Sequence, residues 1–464
     1  MQYSQHNLQD TIVALATPSG VGAIAVIRIS GKSAIPIIND VFSSKDLSIQ
    51  NSHTIHFGTI KGTDNQILDE VLVSLFKAPK SYTREDVVEV SCHGSPFIIQ
   101  QLIQLFIAKG ARMAQPGEFT MRAFLNGQLD LSQAEAVADL IASNSAAAHT
   151  IAMQQMRGGF SNEIQKLRQE LLDFASLIEL ELDFSEEDVE FADRSELKNL
   201  VTEIQSLIKS LIDSFELGNV IKKGVNTVIA GRPNAGKSTL LNALIQEERA
   251  IVSAIAGTTR DTIEEILNIQ GIEFRLIDTA GIRDAQDQIE VVGVKKTLEK
   301  VQQSAILVYV FDAIKLPPEE VAKDLEKLQQ PNQAIILVPN KMDLNPYLRP
   351  AEYISDLVPA ENIVTTSALN NMNIPYLKEK LYQTVITEQI NLDNPIVSNT
   401  RHLAALQNAH QSLTEVLNGM EMGVTSDFVA MDIRRALYFL GEIVGEVSTD
   451  DLLGNIFSNF CIGK

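Results

Sequence analysis

The run Gly231-Arg-Pro-Asn-Ala-Gly236-Lys237-Ser238 constrains this chain more than any other feature. It follows the apolar segment Asn226–Ala230 and precedes a helix-length stretch, so the order predicts strand, tight glycine turn, helix. The glycines let backbone N–H groups wrap phosphates, Lys237 brings positive charge to the β and γ groups, and Ser238 is placed to ligate Mg²⁺. Asn234, Ala235, Gly236, Lys237, Ser238 and Thr239 therefore form a candidate phosphate loop, with Lys237 also a candidate catalytic charge. A chance glycine-rich turn is the alternative, and the strand-to-helix context argues against it.

Further elements follow in the order such a loop demands. Asp278-Thr279-Ala280-Gly281 ends the next apolar run, where a carboxylate holds Mg²⁺ through water and the Gly281 amide senses a γ-phosphate. Asn340-Lys341-Met342-Asp343 ends a later one. A carboxylate at Asp343 accepts two hydrogen bonds from a guanine edge that adenine does not offer, which favours GTP over ATP. Ser367, Ala368 and Leu369 would close over the base, and Thr258-Thr259-Arg260-Asp261 lies where a threonine completes the Mg²⁺ shell. An ATPase would require Asp343 to tolerate adenine. In Ras-type GTPases a glutamine after the second motif's glycine orients the attacking water; here Ile282 stands there and has no polar group. Water positioning must come from elsewhere, or the chain is a switch that hydrolyses little.

Around this nucleotide module the hydrophobic period changes. Residues 1–120 read as mixed α/β, with apolar runs such as Ala23–Ile29, Val71–Phe76 and Val87–Ser91 and turns near Thr17–Gly22, Lys61–Asn65 and Gln115–Gly117. Ile164, Leu167, Leu171, Phe174, Ile178 and Leu182 recur at helical steps, as do Leu197, Leu200, Ile204, Leu207, Leu211 and Phe215, with Gly218 a plausible helix stop. From 224 to about 370, Phe274–Ile277, Ala305–Phe311, Ala334–Val338 and Ile363–Thr365 alternate with helical segments, the pattern of a mostly parallel sheet. Helical patterning resumes in His402–Leu417 and Phe428–Val444. The expected class is multi-domain α/β plus all-α. It comprises an N-terminal α+β domain (1–120), a discontinuous helical domain (121–217 and 385–464) and an inserted P-loop GTPase domain (218–384).

Charge and cysteine usage narrow the setting. Against 59 Asp+Glu stand 38 Lys+Arg, a net charge of −21, which excludes a surface coated in basic charge for gripping nucleic acid. Most of that deficit falls in 121–217 and 385–464, so the helical domain's faces are poor places for phosphates and a local basic patch elsewhere stays open. Two cysteines, Cys92 and Cys461, build no disulfide framework in a chain of 464 residues. The N-terminus lacks a signal-peptide pattern, no apolar run spans a membrane, and Cys461-Ile462-Gly463-Lys464 does not fit a prenylation box. The expectation is a soluble cytoplasmic protein. Cys461 is a nucleophile whose thiolate is stabilised, a buried small hydrophobe or an accessory group, and no catalytic role is assigned to it. His93 reads as a turn residue after its strand, and the few histidines show no metal-ligand spacing.

Taken together, GRPNAGKST, GTTRD, DTAGI, NKMD, the segment PGEFTMRAFLNGQLDLSQAEA at 116–136 and the terminal FCIGK resemble the MnmE (TrmE) family of tRNA-modification GTPases along essentially the whole chain. The resemblance implies a folate-binding-like N-terminal domain that also dimerises, and a Ras-like GTPase domain. It implies work as a homodimer with an FAD-dependent MnmG-type partner, in a heterotetramer that adds a carboxymethylaminomethyl-type group at carbon 5 of the wobble uridine of certain tRNAs. It also implies GTP hydrolysis when GTPase domains dimerise across K⁺. By matching positions Asn234 and the loop Ser253, Ala254, Ile255, Ala256, Gly257 and Thr258 would cradle K⁺, with Thr259 and Ser238 on Mg²⁺. Ligands would be the Asn234 side-chain oxygen and the carbonyls of Ser253 and Ile255, with Thr258 beside them. The water-orienting glutamate falls on Glu290, which read by itself is better taken as a solvated helix carboxylate. A 5-formyl- or 5,10-methylene-tetrahydrofolate would meet Arg28, Glu89 and Lys464, while Gln128 replaces a family lysine and loses a charge. Arg28 by itself is either a buried charge needing an anion or an edge-strand residue facing water. The competing reading is a ribosome-assembly GTPase switch, which needs no folate pocket.

Overall fold

The computed structural model describes residues 9–183, 194–246, 264–278, 304–330, 333–386, 395–458 and 460–463. The chain divides into two compact units: 1–141, 153–209 and 404–464 form the first, and 142–152 with 210–403 the second. An N-terminal α+β domain and a helical domain lie in the first, and a Ras-like α/β domain in the second.

The first unit's sheet has the order β3-β4-β5-β2-β1-β6. Its strands are β1 (Ile12–Leu15), β2 (Ile24–Ser30), β3 (Thr54–Lys61), β4 (Ile67–Phe76), β5 (Val87–His93) and β6 (Arg112–Met113). All pairings are antiparallel except β1 with β6. Strand alternation decides what each face carries. Ala25, Ile27 and Ile29 join Val73, Val88 and Val90 in a core covered by the helices Ala34–Val41 and Pro96–Ala108, through Ile35, Ile38, Leu102 and Phe106. Ile24, Val26 and Arg28 consequently take the other face. His93, expected as a turn residue, is instead the last residue of β5. It pairs with Ile24 of β2, its amide donates to Asp69 Oδ2 at 2.8 Å, and its ring Nδ1 lies 2.7 Å from Asp69 Oδ1.

Long helices follow: Gly159–Asp183, Arg194–Asp213, Thr400–Met422 and Ser426–Val444. In the second of these the fully buried positions are Leu197, Val201, Ile204, Ile208 and Leu211, while Leu200 and Leu207 are half-buried, so the apolar stripe is wider than the expected one. A charged cluster links β6 to the helix Glu118–Leu125. Arg122, 2% exposed, donates to Glu118 Oε1 at 3.0 Å, Glu85 at 3.2 Å and the Asp10 carbonyl at 2.7 Å. Arg112 binds both oxygens of Glu118, at 2.7 and 3.0 Å.

The second unit's sheet runs β11-β10-β7-β9-β8. Its strands are β7 (Val225–Ala230), β8 (Glu264–Ile269), β9 (Ile272–Asp278), β10 (Ile306–Asp312) and β11 (Ala334–Asn340). All neighbours are parallel except β8 with β9. β10 is buried at every residue because helices cover both faces, as its unbroken apolar run requires. Val308 and Val310 enter one core, Leu307, Tyr309 and Phe311 the other.

Two sequence expectations change here, and one strand adds to the expected set. β8 carries no strand signal strong enough to single it out, and pairs because β9 offers it an edge. Ile363–Thr365 is extended chain with one isolated bridge, Leu337 to Ile363, not a strand. Gly218 does not stop a helix: it is buried within the helix Phe215–Lys223, and Gly224, at φ 73°, ends it. A Cβ at Gly218 would run into the Val397 carbonyl oxygen and come within 2.8 Å of Ile396 Cγ2. The glycine serves close packing.

Gly218→Ala should therefore lower stability by about 1–3 kcal/mol in a denaturant titration, from overpacking. Gly419→Ala, where the nearest atom to an added Cβ is 3.7 Å away, should raise it by about 1 kcal/mol. Glu118 supplies a pH test. Burial opposes its charge, but the Arg112 bond, the Gln115 amide and the charge of Arg122 outweigh it and hold the carboxyl below its ordinary value. A depressed folded pKa gives stability that is complete above the unfolded value, about 4.3, and is lost as pH falls through the folded one. Wild type should exceed Glu118→Gln by about 3 kcal/mol at neutral pH, and the gap should close on acidification.

Candidate functional site

The phosphate loop leaves the carboxyl end of β7, the central strand, and the loop after β11 leaves the same end of the parallel set. That is where open α/β sheets present loops to ligands. The helix Lys237–Gln246 begins directly after the loop, so its first-turn N–H groups lack acceptors within the helix. Lys237 Nζ donates to the carbonyls of Gly231 at 2.9 Å and Arg232 at 3.2 Å, folded over the loop it serves. Ser238 and Thr239 are exposed at that helix start. A Cβ at Gly236 would collide with the Asn340 side-chain amide, so a glycine is required for the loops to meet.

The guanine-type loop is bonded to the phosphate loop and to the loop after Ile363. Asn340 Nδ2 donates to the Ala235 carbonyl at 2.9 Å. Its Oδ1 accepts from the Ala368 amide at 3.0 Å and the Thr366 hydroxyl at 3.3 Å. Lys341 Nζ donates to the Asn234 carbonyl at 2.7 Å and to Asp312 Oδ2 at 2.9 Å. Ser367 Oγ donates to Asp343 Oδ1 at 2.6 Å, which orients an exposed carboxylate. Met342 is buried and Leu369 is 79% exposed. An exposed, oriented acceptor at Asp343 beside a preformed phosphate loop fits a guanine nucleotide.

Sequence reasoning brought out the loops but missed their supports. Asp312 is a carboxylate closing an otherwise apolar strand, a signal that was there to be read. Burial opposes its charge, yet the Lys341 bond and the Ile314 amide outweigh it and hold its carboxyl below the usual range. Arg232 ties the loop to the helix Pro318–Leu328 through Asp324, at 2.7 and 3.2 Å, and Glu320, while the Tyr309 hydroxyl donates to Asp324. Of the other expected positions, Asp278 ends β9 beside β7. Its side chain lies outside the described residues, as do Ser253, Ala254, Ile255, Ala256, Gly257, Thr258, Thr259, Thr279, Ala280, Gly281, Ile282, Glu290 and Lys464.

A second constellation sits on the outer face of the N-terminal sheet. Arg28 and Glu89 are directly opposed in the β2–β5 register. Arg28 Nε and Nη2 reach Glu89 Oε1 at 2.9 and 2.8 Å. The guanidinium lies over the rings of Tyr82 and Phe119, at 5.4 and 5.7 Å to the centroids, and Nη1 reaches the Gly463 carbonyl at 3.5 Å. Because β2 is interior to the sheet, the edge-strand reading of Arg28 is overturned. A cation set against two aromatic rings, with a carboxylate beside it, suits a flat, polar-edged ligand. Gln128 stands apart, its Oε1 accepting from Arg84 Nε at 3.1 Å. Cys461 is exposed, which removes the buried-hydrophobe reading, and its carbonyl accepts from the Gly117 amide at 3.3 Å. Cys92 is buried; burial first, then Asp69, push its thiol up to about 11. Among the described residues no helix is long and apolar enough to cross a membrane, and no cluster of His, Cys, Asp and Glu could hold a metal.

Residues 11–128 match the family model of the GTP-binding protein TrmE N-terminus, and 131–461 that of the MnmE helical domain. A tRNA modification GTPase MnmE of Cytophaga hutchinsonii is 55% identical over 458 residues, covering 99% of this chain and 98% of that protein. The protein of that name in Flavobacterium johnsoniae is 56% identical over 468 residues, covering 98% of this chain and 99% of its own length. Kinship of this depth from end to end, on a chain whose phosphate and guanine-type loops are bonded together, places it in the MnmE family of tRNA modification GTPases.

Proposed function

We propose that this chain is a K⁺-stimulated GTPase of tRNA wobble-uridine modification. It works as a cytoplasmic homodimer with an FAD-dependent MnmG-type partner, in a heterotetramer, and takes its one-carbon unit from 5-formyl- or 5,10-methylene-tetrahydrofolate. The observation that carries the nucleotide half is the mutual bonding of the two loops through Asn340 and Lys341. That arrangement supports a site ordered before nucleotide arrives, with Asp343 reading guanine, Lys237 on the phosphates, and Ser238 with Thr259 and Asp278 toward Mg²⁺. K⁺ bound there would supply positive charge to the transferring phosphoryl group. On this chain Asn234 would offer its side-chain oxygen and Ser253 and Ile255 their carbonyls, beside Thr258. Glu290 would orient water in place of the residue missing at Ile282. G-domain dimerisation would complete that site and convert hydrolysis into a conformational change.

The folate half rests on Arg28, paired with Glu89, set against Tyr82 and Phe119 and in reach of the Gly463 carbonyl, and Lys464 would add a further contact. Uridine chemistry needs redox steps that the flavoprotein partner would supply, since this sequence carries no dinucleotide fingerprint.

GTP turnover measured in KCl should exceed that in NaCl by roughly 10²-fold or more, the scale of a well-placed charge in the transition state. Formyl-tetrahydrofolate should bind in either salt, and mass spectrometry should find the modified wobble nucleoside only in tRNA from cells carrying the protein. Equal turnover in both salts, without folate binding, would point to a ribosome-assembly switch instead.

A further inference from the structure

Two residues at the nucleotide site hold backbone conformations that side-chain-bearing residues seldom adopt. Asn234 has φ 62° and Lys341 has φ 66°. Asparagine tolerates the left-handed region, whereas a lysine has no local hydrogen bond to offset the crowding. Such residues persist where surrounding contacts hold them, and mark places where geometry matters. Here one ammonium joins both. Lys341 Nζ donates to the Asn234 carbonyl at 2.7 Å, and its other acceptor is Asp312 Oδ2 at 2.9 Å.

Asp312 is built for this contact. It ends β10, opposite Asn340 at the end of β11, and is 8% exposed. Its second oxygen accepts from the Ile314 amide at 3.0 Å, which fixes the carboxylate plane. The Ala313 amide returns to the Asn340 carbonyl at 3.0 Å, locking the two strand ends together.

We infer that Asp312 is a positioning residue for nucleotide binding: its carboxylate holds the Lys341 ammonium on the Asn234 carbonyl and couples the guanine-reading loop to the phosphate loop. Without that acceptor the ammonium reorients toward water, and both left-handed turns lose their restraint. Ordering them then subtracts from the affinity for nucleotide, because a site that is not preorganised must be organised on binding. Where Asn234 is also a K⁺ ligand, a step that rests on the function proposed above, the same loss weakens the cation site.

A double-mutant cycle tests this, with a fluorescent GDP analogue titrated in NaCl against wild type, Asp312→Asn, Lys341→Met and the double variant, each with a melting curve. Asp312→Asn should weaken GDP binding by about 10-fold, the scale of one charge-assisted hydrogen bond. Most of that effect should disappear in the Lys341→Met background. In KCl, the K⁺ concentration for half-maximal turnover should rise at least as much as the GDP dissociation constant. Unchanged GDP affinity in a folded Asp312→Asn protein, or an equal loss in both backgrounds, overturns the inference. If Asp312→Asn does not fold, Asp312→Glu, with its carboxylate displaced by one methylene, takes its place in the cycle and the same two results decide. Absence of K⁺ stimulation in the wild type counts against the proposed function alone, since the GDP cycle needs no K⁺.

Discussion

One buried carboxamide organises the nucleotide site. Asn340 gives its N–H to the phosphate loop at Ala235, and its oxygen receives the Ala368 amide and the Thr366 hydroxyl from the loop beyond β11. A buried polar group left unmatched costs about 1–3 kcal/mol, so each of these bonds resists separation of the loops it joins. The surroundings make that possible. Parallel strands buried on both faces deliver β7, β10 and β11 with their carboxyl ends aligned, and register brings Asn340 opposite Asp312. Lys341 then has a carbonyl and a carboxylate within reach.

The N-terminal sheet solves a different problem with the same arithmetic. Alternation sends Ala25, Ile27 and Ile29 to the helix-covered core, which leaves Arg28 no option but the opposite face. Glu89 is opposed to it across the β2–β5 pairing, and the rings of Tyr82 and Phe119 lie against the Arg28 guanidinium. Elsewhere in the same unit, Arg122, Glu118, Arg112 and Glu85 form a charged cluster joined by ion pairs. Removing one partner would leave a buried charge uncompensated, so the cluster holds only as a set.

Much of this was legible beforehand, for identifiable reasons. A strand–turn–helix is a local object: its glycine turn forms between one strand and one helix, so spacing suffices. The long helices were legible because their stripes repeat many times, whereas Glu264–Ile269 offered a short run and no repeat. Gly218 misled because glycine has two uses. As a helix stop it is read from its own neighbourhood; as a packing residue it answers to Val397, almost 180 positions away. Ile363–Thr365 misled in the opposite sense, since its β-branched run suits a strand but its bonds to β11 end after Val364 and Thr366.

What the sequence determined by itself was carried by contiguous residues: a glycine-rich turn between strand and helix, an Asn-Lys-Met-Asp run at a strand end, and the order of α/β and helical segments. Only the tertiary structure decided which distant groups meet. Asp312 and Lys341, Arg232 and Asp324, Arg28 and Gly463 come together through strand register and chain return. Hydrophobic period records which face of an element is buried, but it carries no record of which polar partner waits on the other side. Those pairings arise only when separate segments fold against one another and each buried charge must find its match.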